Sequence, residues 1–416
     1  MAELLEPRRA RAAAAWHLRD GVVLIAAGEE IPVPGRGDRA YPFRAHSEYL
    51  YLTDRERPGG VLAFDPGEGW VEFVAPVTAD ELLWTGLEGD REGVPDGTRP
   101  LDELEAFVGG RPARRLGATT EPDVELRDEL VRVRRPKDDV EVQRMRAAAE
   151  ATRAGFAELV ELIEPGRSER ELQVALEAAF LRSGGDFLAF ESIVAAGDHA
   201  AVLHFAPTER ALRAGDLLLV DAGAEVRGYA ADVTRTYVVG GAFAPEQALV
   251  YETVRRAGEA AIDACRPGVE WREIHRAAAL VVADGLVELG VLRGSGESLV
   301  ESGAVSLFFP HGVGHMVGLG VRDAGPASDE GRDAAPGLPR LRVDIPLAPR
   351  HAWTVEPGIY VVAPLLARAR ARGRDDVVWE RVDRLAGFGG VRLEQNVLIG
   401  EEDCEVLTAA IPLPPA

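Results

Sequence analysis

Lysine and cysteine are almost missing from this chain of 416 residues. Lys137 is the only lysine, so arginine supplies nearly all of the positive charge, a bias that genome composition explains without any functional cause. The two cysteines, Cys265 and Cys404, are too few to form a disulfide framework, and this fits a reducing compartment.

Long apolar runs are missing as well. No stretch reaches the roughly 18 apolar residues that a membrane-spanning helix needs. The first residues mix acids with arginines and lack the apolar core of a signal peptide. We therefore expect a cytoplasmic protein that has no membrane partner.

Basic residues are few compared with acidic ones: the chain has 47 of the former and 69 of the latter, which gives a formal charge of −22. A nucleic-acid partner needs a basic surface to offset its phosphates, so we expect none here. The proportions of hydrophobic and charged residues, 46% and 28%, are those of an ordinary globular protein. The length is that of two domains.

The order of patterns predicts an α/β protein whose domains span residues 1–136 and 137–416. Short apolar runs bounded by glycine or proline predict strands in the first third, namely "DGVVLIAAG", "GGVLAFDP" and "GWVEFVAPV". After Pro136 the apolar residues adopt helical spacing, which places the domain boundary there.

An internal echo indicates a duplicated α/β unit in the second domain. "LIEPGRSERELQVALEAAF" and "ACRPGVEWREIHRAAALVV" each end one helix at Pro-Gly and begin another a few residues later. Ser168 and Glu171 form a predicted capping box for the first of these second helices. Two similar halves that face each other would create a cleft for a site.

Two aspartates lie in neighbouring predicted strands of that domain. Asp221 follows the apolar run "DLLLV", and Asp232 is predicted in the next strand, with Ala230 and Thr234 on its face. A buried, ionised carboxylate needs a partner because its isolated burial is too costly. Taken singly, each aspartate could equally be a capping or turn residue.

Two glutamates occupy similar settings further along the chain. Glu356 stands in the strand-like run "WTVEPGIYVV", and Glu394 shares a strand face with Arg392 and Asn396 in "GVRLEQNVLIG". That face either lines a site or meets bulk water. A glycine-rich run, "PHGVGHMVGLGVRDAG", adds His311 and His315.

Considered together, these acids and one histidine indicate a metal site. Four carboxylates in one cleft would raise each other's pKa values unless cations neutralised them. Oxygen ligands with one imidazole favour Mn²⁺, with Co²⁺ or Zn²⁺ as alternatives. Two such ions could share a hydroxide and polarise a carbonyl.

The ordered motifs resemble the aminopeptidase P and prolidase branch of the M24 metallopeptidases. Those motifs are "LLLVDAGAEVRGYAADVTRTYVVGG", "PHGVGHMVGL", "TVEPGIY" and "GVRLEQNVLI", and the front of the chain, "AYPFRAHSEYLYLTDRERPGGVLAF", is similar to the N-terminal domain of aminopeptidase P. The resemblance implies a C-terminal pita-bread domain built from two pseudo-symmetric α/β halves. A smaller, creatinase-like α/β domain precedes it.

Carried over by motif, the resemblance implies a ligand for each position of a dinuclear centre. Asp221 would chelate one ion, and His315 with Glu356 would hold the other. Asp232 and Glu394 would bridge the pair. Glu356 would also accept a proton from the bridging water.

The resemblance further implies three substrate-side residues. His204, in "VLHF", matches a histidine near the bound substrate, and His311 matches the first histidine of the glycine-rich motif. Arg392 would orient the last glutamate or contact substrate. Together with Glu356, these three are the expected catalytic residues.

Arg322 departs from the family pattern, which commonly has histidine at this place. Arginine cannot shuttle protons, but it can hydrogen-bond an oxyanion or a substrate carboxylate. Arg322 is therefore predicted to bind substrate, with altered carboxylate recognition or a relaxed requirement for proline. The alternative is an ion pair with Asp323 or another acid at the rim of the cleft.

The resemblance implies an Xaa-Pro aminopeptidase, which releases the N-terminal residue of small peptides by attack of a metal-bridging hydroxide. Alternatives are an Xaa-Pro dipeptidase, an aminopeptidase with a relaxed proline requirement, or a metal-free binding protein of the same fold. A homodimer or homotetramer is also implied.

Overall fold

The computed structural model describes residues 2–37, 39–84, 86, 91–330, 337–339, 341–411 and 413–414, with residues 2–4 described by their backbone alone. The chain divides into two compact units, Met1–Arg134 and Arg135–Ala416. Each unit has its own sheets and its own apolar cores.

The first unit is built on one mixed sheet, whose strand order is β4-β3-β2-β1-β5. Its strands are Val22–Ala26 (β1), Val61–Asp65 (β2), Gly69–Val74 (β3), Arg99–Pro100 (β4) and Ala113–Gly117 (β5). Its helices are Ala2–Trp16 (α1), Ser47–Thr53 (α2), Ala79–Trp84 (α3), Leu104–Val108 (α4) and Val124–Arg134 (α5). The three apolar runs of the sequence form β1, β2 and β3, as predicted.

The second unit combines longer helices with short strands in several small sheets. Its helices are Asp139–Val160 (α6), Glu169–Arg182 (α7), Pro245–Ala264 (α8), Trp271–Glu288 (α9), Gly296–Glu301 (α10), Ala363–Ala371 (α11) and Trp379–Arg384 (α12). Its strands are Phe187–Leu188 (β6), Ile193–Ala196 (β7), Leu217–Ala222 (β8), Ala224–Val226 (β9), Tyr229–Ala230 (β10), Val233–Val238 (β11), Ala352–Val355 (β12), Gly358–Tyr360 (β13), Gly390–Arg392 (β14), Gln395–Ile399 (β15) and Cys404–Val406 (β16).

The internal echo corresponds to two helix pairs, α6 with α7 and α8 with α9. Apolar side chains of α6 and α7 pack with β7, β8 and β11 in one core. Those of α8 and α9 pack with β12, β14 and β15 in another. Ser168 caps α7 in the predicted capping box, since its side chain accepts from Glu171 N while Glu171 accepts from Ser168 N.

The strands that carry three of the acids are broken at the acid itself, whereas the sequence predicted continuous strands. Asp232 lies between β10 and β11, Glu356 between β12 and β13, and Glu394 between β14 and β15. The reason is a change of partner: β13 pairs with β14, while β12 pairs with β15. Each acid therefore stands where the chain passes from one small sheet to another.

Among the described residues, no helix is both long enough and apolar enough to cross a bilayer.

Candidate metal centre

Three of the predicted ligands meet in one place. Asp232, His315 and Glu394 each offer a ligand atom, and these atoms lie within 4.8 Å of one another. All three residues are at most 6% exposed. His315 Nε2 lies 3.4 Å from Asp232 Oδ2 and 3.9 Å from Glu356 Oε1, so a fourth predicted ligand borders the same point.

Neighbouring side chains fix the acids of this centre. Asn396 holds the backbone of Asp232 from both sides, because its Oδ1 accepts from Asp232 N at 2.9 Å and its Nδ2 donates to Asp232 O. Thr234 Oγ1 donates to Glu394 Oε2 at 2.8 Å. These contacts hold the backbone of Asp232 and the carboxylate of Glu394 in place.

His315 is oriented so that its Nε2 faces the acids. Its Nδ1 lies 3.0 Å from Met316 O and must carry a proton, so in the neutral ring the lone pair is on Nε2. Its backbone N donates to Thr354 Oγ1. The preceding residue, Gly314, runs so close to strand β12 that an added Cβ would lie 2.0 Å from Thr354 O.

A hydrogen-bonded chain joins Arg392 to His311 through a residue that the sequence did not single out. Arg392 donates to Asp221 Oδ2, to Thr234 Oγ1 at 3.1 Å and to Tyr360 Oη at 2.9 Å. Tyr360 Oη in turn lies 2.9 Å from His311 Nε2. Only the pairing of β13 with β14 brings Tyr360 to this place.

Burial and mutual repulsion perturb the titration of the acids. Burial, together with neighbouring carboxylates, raises the pKa of Asp221 to about 6 and that of Glu356 to about 7. The same causes raise the pKa of Glu394. Burial alone would lower the pKa of His315, but Asp232 and Glu356 outweigh it and raise that pKa. Carboxyl groups whose ionisation is unfavourable without a nearby positive charge are suited to bind cations.

Asp221 offers a second sign that the donor set suits metal ions. Its Oδ2 accepts from Arg392, whereas its buried Oδ1 has no hydrogen-bond partner among the described residues. A buried oxygen without a partner is costly unless a ligand satisfies it. Carboxylates with one imidazole form a hard donor set, so these residues fit divalent cations.

One cavity of about 840 Å³ is lined by all nine of the site residues that the sequence predicted. They are His204, Asp221, Asp232, His311, His315, Arg322, Glu356, Arg392 and Glu394. His311 is neutral, since burial and Arg392 lower its pKa to about 3. The distance of 3.8 Å between His311 Nδ1 and Glu356 Oε2 therefore does not correspond to an ion pair.

Arg322 lines the cavity without pairing with Asp323. The carboxylate of Asp323 instead accepts from Lys137 Nζ at 2.8 Å, and both side chains are at most 1% exposed. Gly318 leaves room for this pair, because an added Cβ would lie 2.6 Å from both side chains. Within the described part of the chain, Arg322 makes no hydrogen bond or ion pair, so the alternative of a rim ion pair lacks support.

Arg342 is a second residue that sequence reasoning missed. It lies in an irregular stretch between α10 and β12, lines the same cavity as Arg322 and is exposed to solvent. No periodicity or motif marks it, so no sequence signal could have identified it.

Comparison with known proteins agrees with this geometry. Residues 143–401 match metallopeptidase family M24, and residues 6–102 match the aminopeptidase P N-terminal domain. The chain is 32% identical to Xaa-Pro aminopeptidase 1 of Streptomyces coelicolor over 92% of its length and 82% of that protein. It is 40% identical to the Xaa-Pro dipeptidase of Shewanella amazonensis over 67% of its length and 64% of that protein.

Solved structures extend the similarity to the fold. E. coli aminopeptidase P with the inhibitor Pro-Leu superimposes with a TM-score of 0.83 and 26% identity, over 100% of this chain and 96% of that one. The expected pita-bread fold, preceded by the smaller α/β domain, is thereby confirmed.

Proposed function

Because the chain belongs to metallopeptidase family M24 and carries the aminopeptidase P N-terminal domain, we propose that it is an Xaa-Pro aminopeptidase. It is a metal-dependent peptidase, and it releases the N-terminal residue from peptides that have proline in second position. The observation that carries this function is the convergence of Asp232, His315 and Glu394 on one point of the cavity.

We propose the following ligand set for two divalent cations. Asp221 would hold one ion, His315 and Glu356 would hold the other, and Asp232 and Glu394 would be shared by the two. The orphaned Oδ1 of Asp221 and the lone pair on His315 Nε2 support this assignment. Bound there, the ions would lower the pKa of water and polarise the scissile carbonyl.

The remaining residues of the cavity serve proton transfer and positioning. Glu356, which reaches the cavity beside both His311 and His315, accepts the proton of the attacking water and returns it to the leaving amine. His311 is held by Gly312 O and Tyr360 Oη, so its ring is fixed where it meets the substrate. His204 contacts substrate from the neighbouring loop, and Arg392 orients Asp221.

The proposal extends to the alternative substrate, the metal, the location, the oligomeric state and the domain bounds. The Xaa-Pro dipeptidase alternative is not favoured, because the structure matched over the whole chain is an aminopeptidase P. We propose Mn²⁺ as the metal, with Co²⁺ or Zn²⁺ as alternatives. A cytoplasmic location, a homodimer or homotetramer, and domains of 1–136 and 137–416 are likewise proposals.

The test compares alanine release from Ala-Pro-Ala, Ala-Pro and Ala-Ala-Ala by the Mn²⁺-loaded protein. Release chiefly from Ala-Pro-Ala, abolished by a chelator and restored by Mn²⁺, is the expected result. Release from Ala-Pro alone would assign a dipeptidase, and equal release from Ala-Ala-Ala would show that proline is not required. Failure to release alanine from any of them would refute the proposal.

A further inference from the structure

The side chain of His204 is not held by any hydrogen bond within the described part of the chain. It is exposed to solvent and lies in the segment 196–208, called here the His204 segment, which joins strand β7 to the loop before β8. Beyond the short 3₁₀ helix Gly197–Ala201 this segment is irregular. The position of His204 in the cavity therefore depends on how the backbone on either side of it is held.

A buried carboxylate holds that backbone at two points. Glu169, the first residue of α7, is fully buried, and both of its oxygens have partners. Its Oε1 accepts from Ala196 N at 2.9 Å and lies 2.7 Å from His199 Nδ1. Its Oε2 accepts from Thr208 N at 3.1 Å and from Thr208 Oγ1 at 2.7 Å. Glu169 thus joins the two ends of the segment that carries His204.

His199 extends this restraint to the neighbours of His204. Its ring stacks on Phe205, with the ring centroids 4.1 Å apart, while its Nδ1 faces the buried carboxylate. Phe205 is the residue after His204, and Leu203 is the one before it. Both pack against the apolar cluster that contains Tyr360. The residues on either side of His204 are therefore fixed, although its own side chain is exposed.

The opposite side of the segment lies close to strand β14. An added Cβ at Gly389 would lie 2.0 Å from Gly197 O, and one at Gly390 would lie 2.7 Å from Ala200 O. Strand β14 ends at Arg392, which donates to a carboxylate of the metal centre. The His204 segment is therefore in contact both with α7 and with the strand that carries Arg392.

The carboxylate of Glu169 serves this segment and not the helix to which it belongs. The N-terminus of α7 is already capped by Ser168 and Glu171. All the printed donors to Glu169 come from the His204 segment. Because a buried carboxylate is costly without such donors, its burial is sustained by holding the segment in place.

We propose that Glu169 is a positioning residue of the site, whose carboxylate holds the His204 segment so that His204 and Phe205 line the cavity. Glu169 does not line the cavity itself, so it acts through the segment. The contact of His204 with a substrate rests on the proposed function; the anchoring of the segment does not.

Hydrogen exchange on the full-length protein tests the anchor without catalysis. Glu169→Gln keeps the shape of the side chain but turns an NH₂ group towards the donors on one of its two sides. We expect amides of the His204 segment to exchange about tenfold faster, because hydrogen bonds to a carboxylate are lost. Peptides from α8 and α9 should keep their rates. Glu150→Gln removes the same charge from an exposed pair with Arg153 on α6 and should change neither.

His199→Phe is a second variant that does not disturb the buried carboxylate directly. It keeps an aromatic ring beside Phe205 but removes the Nδ1 that faces Glu169. The side chain of His199 is 26% exposed, so the change is tolerable even if Glu169→Gln prevents folding. We expect faster exchange in the same segment, by a smaller factor than for Glu169→Gln.

Kinetics on the Mn²⁺-loaded protein ask whether the anchor acts through His204. Glu169→Gln and His199→Phe should each lower kcat/KM for Ala-Pro-Ala by roughly tenfold and leave the metal content unchanged. In a His204→Ala background the same two changes should cost less than about twofold, because the residue that they position is gone. Glu150→Gln should leave kcat/KM unchanged in both backgrounds.

The outcomes separate this proposal from the proposed function. Exchange rates that Glu169→Gln and His199→Phe leave unchanged would overturn the anchor, and so would an equal loss of kcat/KM with and without His204. Loss of metal from Glu169→Gln would also contradict it, since the damage would then extend beyond the segment. Faster exchange in a protein that cleaves no Xaa-Pro peptide would support the anchor and refute the proposed function. Cleavage with unchanged exchange would support the function and refute the anchor.

Discussion

The floor and the rim of the cavity are built in opposite ways. The floor comprises Asp221, Asp232, His315, Glu356 and Glu394, all of which are buried except the half-buried Glu356. Arg392 and Thr234 donate to the carboxylates of Asp221 and Glu394, and Asn396 holds the backbone of Asp232. The rim, which comprises Arg322 and Arg342, consists of exposed side chains that have no partner within the described residues. The floor is thus arranged before anything binds, whereas no neighbour among the described residues holds the two arginines of the rim.

This difference separates two contributions to a reaction. Preorganised groups act on the transition state because they need no rearrangement when charge develops. Exposed, mobile charges attract and select a substrate but contribute less per contact, since water screens them. Substitutions on the floor should therefore affect metal binding and kcat, and those on the rim should affect KM.

The largest effect is expected from Glu394, a proposed metal ligand on the floor. Glu394→Gln keeps the shape of the side chain but removes its charge from the centre. Mutating a residue that only contacts a metal ligand typically lowers metal affinity or activity by about tenfold to a hundredfold. Loss of a ligand itself should therefore lower metal affinity and alanine release from Ala-Pro-Ala each by more than about a hundredfold. Metal analysis after dialysis would measure the first quantity. Glu401→Gln, an exposed site with the same change of charge, should retain the metal; equal loss in both variants would contradict the assignment.

The next effect concerns the buried ion pair between Lys137 and Asp323, whose carboxylate belongs to the residue after Arg322. Lys137→Met removes the ammonium that faces the buried carboxylate of Asp323, next to Arg322. Breaking one side of a buried ion pair should lower the free energy of unfolding by about 3–5 kcal/mol. The urea midpoint of the metal-free protein would report this loss. The double variant Lys137→Met/Asp323→Asn should recover part of it, and a double variant no more stable than the single one would count against the pair.

The residues of the floor and Arg322 were predictable from the sequence, whereas Arg342 and the breaks in the strands were not, for physical reasons. Burial of an ionised acid such as Asp221 is costly, and the recurrence of such acids together with His315 indicated a metal site in the sequence. The breaks at Asp232, Glu356 and Glu394 depend on which strands pair, and local patterns carry no information about pairing. Arg342 lies in an irregular stretch, where an arginine looks like any exposed charge.

A smaller effect is expected from Tyr360, whose hydroxyl contacts both Arg392 and His311. Tyr360→Phe removes the hydroxyl that links Arg392 to His311 and leaves the ring in place. Loss of such a supporting contact should lower kcat by roughly tenfold and leave KM and metal content nearly unchanged. Tyr237→Phe is the matched control, because the described residues provide no hydrogen-bond partner for the Tyr237 hydroxyl. A change in KM alone would place Tyr360 with the rim instead.

The smallest effect distinguishes the rim from the floor without any mutation. Raising the ionic strength from about 0.1 M to 1 M shortens the screening length from about 10 Å to 3 Å. Exposed arginines should then contribute less to the attraction of a substrate carboxylate, so the KM for Ala-Pro-Ala should rise by roughly threefold. The buried floor should keep its metal under the same conditions. A KM that salt does not change would mean that a buried cation binds the carboxylate. Arg392, at 3% exposure, is the buried arginine of this cavity, and it would have to release Asp221 or Tyr360 to do so.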